Sequence, residues 1–214
     1  MFGEVQLVRH VPQAFAALVA EEAPASIALS GGGTARECYE LLATADVDWT
    51  RVDAWFGDER WLPVHDPESN EGMARVTFLD EVEPHAIHSM YDADATIDEA
   101  ALAYDAALRA APPLELVHLG LGPDGHTASL FPGSAPLDET DRWVVPNGDD
   151  LHPHPRLTLT FPALAATRLV VVTVAGVSKQ DAFARIRAGE AHPAGRVRAE
   201  RVVWLVDEAA SGGT

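Results

Sequence analysis

Residues 168–179 read RLVVVTVAGVSK. From Arg168 to Val174 the run is apolar and β-branched with no polar alternation, so both faces of a strand there need covering. Runs of this kind belong to the middle of parallel sheets, where helical crossovers hide both faces. The run stops at Ala175-Gly176, and a helical pattern follows over Ser178–Ala188. The same succession of strand, small-residue turn and helix recurs along the chain. Further strands are predicted over Ser26–Leu29, Val52–Phe56, Leu114–Leu119, Trp143–Val145, Leu157–Thr160 and Val202–Val206. Helices are predicted over Gln13–Glu22, Ala35–Leu42, Glu71–Leu79 and Ile97–Ala111, the last stopped by Pro112-Pro113. Ser211–Thr214 reads as a frayed tail. This alternation predicts an α/β fold in one domain over residues 1–214, a mostly parallel sheet with helices on both faces.

The bulk properties agree. A chain of 214 residues, 47% hydrophobic, can build one sizeable core. The first residues, MFGEVQLVRHVPQAF, hold no long apolar targeting segment, and no run approaches the roughly 18 apolar residues of a membrane span. Cys38 is the single cysteine, which leaves no disulfide framework and no thiolate metal cluster. A cytoplasmic monomer with no membrane partner is the expectation. The net charge of −18 would repel the phosphates of nucleic acid, so no nucleic-acid partner is expected either. Of 15 basic residues all but Lys179 are Arg, which makes the one lysine conspicuous.

In parallel α/β sheets ligands bind beyond the carboxyl ends of the strands. Four predicted strands end in unusual chemistry there: Ser30–Thr34, Gly57–Arg60, Gly120–His126 and Ala175–Lys179. Right-handed crossovers would bring these ends to one edge. Gly31, Gly32 and Gly33 let backbone approach a ligand, and their N–H groups with the next helix terminus form an anion nest. Thr34 would cap that helix; the alternative for the whole stretch is a tight structural turn. It is not a Walker loop, because no Gly-Lys-Ser/Thr follows. Arg60 can grip a phosphate or carboxylate by its fork. Asp58 would pair with Arg60 or with a sugar hydroxyl. Ser69-Asn70 would cap the next helix, or Asn70 would face the pocket.

GLGPDGHTASLFPG, residues 120–133, fits the dinucleotide pattern G-x-G-x-x-G at its start. Pro132-Gly133 interrupts any following helix, and no acid ends the next strand, so the match is accidental. The better reading is a loop that aims His126 into the cleft, with Gly125 beside the substrate and Asp124 orienting the imidazole or binding substrate hydroxyls. Thr127 or Ser129 would start a short helix. Arg156 opens a strand and Lys179 a helix; with Arg60 they are three candidate anchors for one anion. A cation in the first helical turn opposes the helix dipole, which suggests that Lys179 serves a ligand. His152 and His154 in HPHP have metal-like spacing but no third ligand, so no metal is expected. His118 reads as core. His10, His65, His85, His88 and His192 have no supporting context.

These motifs resemble those of the 6-phosphogluconolactonases of the pentose phosphate pathway, over most of the chain. The resemblance rests on SGGGT (30–34), FGDER (56–60) with SN (69–70), GLGPDGHTASLFPG (120–133), RLTLTFPAL (156–164) and GVSK (176–179). It implies a modified Rossmann-type sheet like that of the glucosamine-6-phosphate deaminases. The implied activity is hydrolysis of the δ-lactone of 6-phosphogluconate, a phosphorylated sugar lactone, with no cofactor and no metal. His126 matches the family's catalytic histidine, and Arg60, Arg156 and Lys179 match positions associated with substrate and phosphate. PAGRV near Arg196 departs from the family's PASRV. The related deaminases follow DGH with an apolar stretch ending in Asn-Glu-Pro, whose Glu assists the His; here TASLFPG follows, with no acid before Asp138. A non-catalytic sugar-phosphate sensor usually carries a helix-turn-helix, for which the first 25 residues are too short; a binding module without one stays the alternative, and His126 argues against it.

Overall fold

The computed structural model describes residues 1–148 and 152–213. β9 (Leu169–Val174) is buried at every position. It lies between β10 (Arg201–Val206) and β6 (Leu116–Gly120), parallel to both. Arg168 stays out of the strand because its guanidinium pairs with Glu22 at 2.7 Å, and a charged head cannot follow the valines into the core. With β1 (Glu4–Leu7), β2 (Ser26–Leu29), β3 (Asp53–Phe56) and β5 (Ala86–Ile87), these strands form one parallel sheet among the described residues. Its order is β1-β10-β9-β6-β2-β3-β5. β1 and β5 escape the sequence reading because they are short edge strands with no sustained apolar run.

A second, antiparallel sheet has the order β4-β8-β7, from β4 (Asp58–Arg60), β8 (Arg156–Leu159) and β7 (Val144–Asn147). Two expectations are corrected here. After the bend at Gly57, Asp58–Arg60 is a strand of its own rather than a loop, and the strands near Trp143 and Leu157 lie outside the parallel sheet. The pairing that decides both is long-range, Asp58 opposite Thr158, which no local pattern encodes.

α1 (Val11–Glu22) buries Phe15, Leu18 and Val19, a helical stripe, and packs on β9, β10 and α2 (Gly33–Leu42). Ser69 caps α3 (Asn70–Ala74) by accepting from Gly72 N at 2.9 Å. α3 then widens into a π-helical stretch, Arg75–Leu79, before α4 (Asp80–Val82). α5 (Ile97–Ala110) opens on a Thr96–Glu99 capping box. α6 (Phe161–Ala165) is too brief to show a period. A 3-10 turn, Val177–Lys179, precedes α7 (Gln180–Arg187). The chain closes on α8 (Glu208–Ser211), capped by Asp207 accepting from Ala210 N at 2.7 Å, which takes in only Ser211 of the expected tail; Gly212 and Gly213 follow outside the helix. Thr214 lies outside the described residues. Among the described residues no helix is long and apolar enough to cross a membrane.

One buried polar group links the core to the sheet's functional edge. The Tyr39 hydroxyl accepts from Ser30 N at 2.6 Å and lies 2.9 Å from His118 Nδ1. His118 Nε2 in turn meets Thr173 Oγ1 at 2.9 Å. Burial pushes the His118 pKa down to about 3, so the ring stays neutral. α2, β2, β6 and β9 are thereby tied together directly beneath Ser30, where the glycine loop begins.

Candidate active site

All four strand ends singled out by the sequence reach one cleft. Ser30, Gly31 and Gly32 follow β2, Asp58 and Arg60 form β4, His126 follows β6, and Lys179 follows β9. Together with Asn70 they line a cavity of about 200 Å³. A neighbouring cavity of about 450 Å³ is bounded by Gly33, Arg36 and Arg156, and shares Gly32, Arg60 and Asn70 with the first.

The loop after β6 is a tight turn rather than the start of a helix. Gly122 N donates to the His126 carbonyl at 2.9 Å, and Gly125 N to the Gly122 carbonyl at 3.0 Å. Gly125 has φ +87°, a conformation that costs glycine little. Asp124 Oδ1 lies 2.6 Å from His126 Nδ1. A carboxylate only accepts, so the shared proton sits on Nδ1, and in the neutral ring Nε2 keeps its lone pair. Burial alone would raise the Asp124 carboxyl. Hydrogen bonds from the backbone N–H and the ring of His126, with the electrostatic pull of the imidazole, outweigh it and hold Asp124 below the usual carboxylate range. Phe131 meets the His126 ring edge-on at 5.2 Å.

The expected Asp58–Arg60 pairing is replaced by other partners. Asp58 accepts from Ser129 Oγ at 2.6 Å and from Asn70 Nδ2 at 3.3 Å. The Arg60 guanidinium donates to the Glu68 carbonyl. The reason is the β4 register, in which side chains at 58 and 60 are held by different neighbours. Glu59, between them, is 2% exposed. It accepts from Arg60 N, Asn70 N and Glu71 N, each at 2.7 Å, and from Ser69 Oγ at 2.9 Å. Burial pushes its carboxyl up to about 7 against those four donors. Glu59 thus anchors the α3 N-terminus, and with it Asn70, to β4.

Arg60 and Arg156 stand directly opposite across the β4–β8 pair. Like charges in that position repel. Arg156 is 7% exposed and its pKa is lowered, first by burial and then by Arg60. Its Nε is buried with no hydrogen-bond partner among the described residues, as is that of Arg60. Burial also lowers Lys179, with Asp124 opposing. Both arginines line the second cavity, where guanidinium forks have the chemistry to hold an anion. Arg36, missed in the sequence reading, adds a third guanidine to the second cavity. Its signal was a cation in the first turn of α2, opposed to the helix dipole as Lys179 was expected to be.

Several expectations change. Thr34 does not cap α2: Gly32 (φ +96°) occupies the cap position, with no side-chain bond, and Thr34 lies inside the first turn. Thr34 and Gly125 line neither cavity. Thr127 and Ser129 start no helix. Their hydroxyls bond the Gly120 carbonyl and Asp58 instead, and Ala128 takes φ +47°, which breaks a helix. Lys179 sits at the cap position of α7 rather than within its first turn. His154 pairs with Glu68 at 2.8 Å, and His152 stacks on Phe131. Among the described residues no three His, Cys, Asp or Glu side chains are placed to hold a metal ion.

A family profile described as glucosamine-6-phosphate isomerases/6-phosphogluconolactonase matches residues 4–204. A protein named 6-phosphogluconolactonase from Synechocystis sp. is 40% identical over 207 residues, spanning 90% of this chain and 85% of its own. The solved structure of 6-phosphogluconolactonase from Thermotoga maritima superposes with a TM-score of 0.83 at 28% identity, covering 95% of this chain and 99% of that one. A monomeric glucosamine-6-phosphate deaminase shares the fold, with a TM-score of 0.85 at 18% identity over 98% of this chain and 99% of that chain.

Proposed function

We propose, because this chain belongs to the family of glucosamine-6-phosphate isomerases and 6-phosphogluconolactonases, that it hydrolyses 6-phospho-D-glucono-1,5-lactone to 6-phosphogluconate. A δ-lactone is an activated ester, so water can attack it without a covalent intermediate, and the sequence has no G-x-S-x-G nucleophile elbow. His126 Nε2 takes a proton from water as its oxygen adds to C1. Loop N–H groups or a cleft arginine stabilise the oxyanion. The C1–ring-oxygen bond then breaks, and the His126 proton goes to the departing ring oxygen. Asp124 holds the imidazole in the Nδ1–H tautomer throughout.

Arg60, Arg156 and Lys179 hold the phosphate end, with Gly31, Gly32 and Gly33 beside it. Asp58 and Asn70 shape the floor. Binding energy from the phosphate, remote from C1, positions the lactone for attack. The single observation that supports these roles most directly is the 2.6 Å Asp124–His126 bond at the rim of a cation-lined cleft.

The test is lactonase activity on substrate generated in situ, wild type against His126→Ala, above the spontaneous background. Activity lost only in the variant supports both reaction and base. Activity in both keeps the reaction and removes His126 from it. A folded but inactive wild type would turn the reading to a sugar-phosphate-binding module. The deaminase alternative is disfavoured by the absence of an acid between His126 and Asp138.

A further inference from the structure

Two successive carbonyls of the Asp124–Gly125–His126 turn are held by one distant segment. The Asp124 carbonyl accepts from His192 Nδ1 at 3.1 Å. The Gly125 carbonyl accepts from Ala194 N at 3.0 Å. The His192 ring also fills the space a side chain at Gly125 would need: a β-carbon there would lie 2.4 Å from Nδ1 and 2.7 Å from Cγ. The segment itself is closed by its own turns, with His192 N donating to the Glu190 carbonyl at 2.9 Å and Gly195 N to the His192 carbonyl at 3.0 Å. Ala194 and Val197 root it in the core.

A carbonyl only accepts, so a neutral His192 in this arrangement carries its proton on Nδ1. Its Nε2 is buried without a hydrogen-bond partner among the described residues and lies 3.7 Å from Glu190 Oε2. All the directional bonding of the ring therefore goes to the turn. That turn contains glycine at positive φ, whose backbone has more alternatives than any other residue's. Asp124 and His126 hang from either side of it, and a displacement of about 1 Å in reacting groups costs on the order of 10²-fold in rate.

We infer that His192, through Nδ1–H, is a positioning residue for the Asp124–His126 pair. The inference rests on the reading of His126 as the general base. It assigns a role to a histidine that has no supporting context in the sequence, because the contact joins residues 68 apart.

The test compares His192→Asn with His192→Leu in the full chain. The two side chains have nearly the same shape, and only Asn can donate to the Asp124 carbonyl. Imidazole ¹⁵N spectra and lactonase rates are read on both. The expected result is a His126 held in the Nδ1–H tautomer in wild type and His192→Asn, and a tautomer mixture in His192→Leu. kcat should fall about 10- to 100-fold in the Leu variant with KM within about twofold, and stay within about threefold of wild type in the Asn variant. A Leu variant with the wild-type His126 spectrum would overturn the inference, as would equal kcat losses in both variants. Should neither variant fold, the wild-type spectrum decides alone: neutral His192 in the Nε2–H form would be incompatible with the bond. An inactive wild type with the expected spectra would instead count against the lactonase reading and leave the positioning role standing.

Discussion

Asn70 occupies the space that a side chain at Gly31 would need: a β-carbon there would lie 1.9 Å from Asn70 Oδ1. Asn70 cannot yield, because its Nδ2 donates to the Asp58 carbonyl at 2.8 Å and its own N–H donates to buried Glu59. Gly31→Ala should therefore push the loop or Asn70 into the cleft at a cost of about 1–3 kcal/mol. The measurable outcome is KM raised roughly 5- to 150-fold. In an Asn70→Ala background the same change should cost far less, since the clash is gone. Additive effects in that double-mutant cycle would refute the steric explanation.

His126→Ala should lower kcat by about 10²–10⁴-fold, the usual contribution of a positioned acid/base. Asp124→Asn keeps the size of its side chain but can donate to Nδ1 and favour the wrong tautomer. Its kcat should fall by a similar factor, roughly 10²–10⁴-fold, with KM little changed. Steady-state rates above background decide it. A Asp124→Asn enzyme with wild-type kcat would leave the 2.6 Å bond without a catalytic role.

Arg156→Lys keeps the charge and removes the planar fork. If the facing Arg60–Arg156 pair reads a phosphate by paired N–H donors, KM for the phosphorylated lactone should rise about tenfold or more. Competitive inhibition by inorganic phosphate should weaken in step, since loss of a charge-assisted bond costs about 1.5–3 kcal/mol. Lys179→Ala should also act chiefly on KM. Unchanged KM and phosphate inhibition in Arg156→Lys would show that only charge matters there.

His118 makes stability depend on pH in a stated direction. Its pKa falls from 6.5 to about 3 through burial. The unfolded chain binds the proton more readily, so the stabilisation is full above pH about 6.5 and is lost as pH falls towards about 3. The slope from this one group should be about 1.4 kcal/mol per pH unit within that window. Urea midpoints between pH 7 and 4 would measure it. His118→Gln should be less stable at pH 7 and flatter over the same range; an equally steep variant would place the acid sensitivity elsewhere.

How much was legible in the sequence follows from the reach of each signal. The buried valines of β9 and the helical stripes are local patterns, read directly, and they determined a parallel α/β sheet. The direction of its strands then predicted which ends would meet, and Ser30–Gly32, Arg60, His126 and Lys179 do line one cavity. Local residue chemistry also nominated Asp124 beside His126, two positions apart, where a short turn could join them.

What failed was whatever depends on a distant neighbour. β4 became a strand only because β8 pairs with it, and that register turned Asp58 towards Ser129 and Asn70 instead of Arg60. Arg36 reached the cleft, and Thr34 did not, because Gly32 rather than Thr34 closes the turn into α2. Glu59 gained most of its partners from the next helix terminus, 10 to 12 residues on, and His192 its partner from a turn 68 residues away. Composition and periodicity report the burial each residue needs. Hydrogen-bond partners are directional and satisfied in three dimensions, so only the tertiary structure decided which groups hold the turn, the floor and the cations of this cleft.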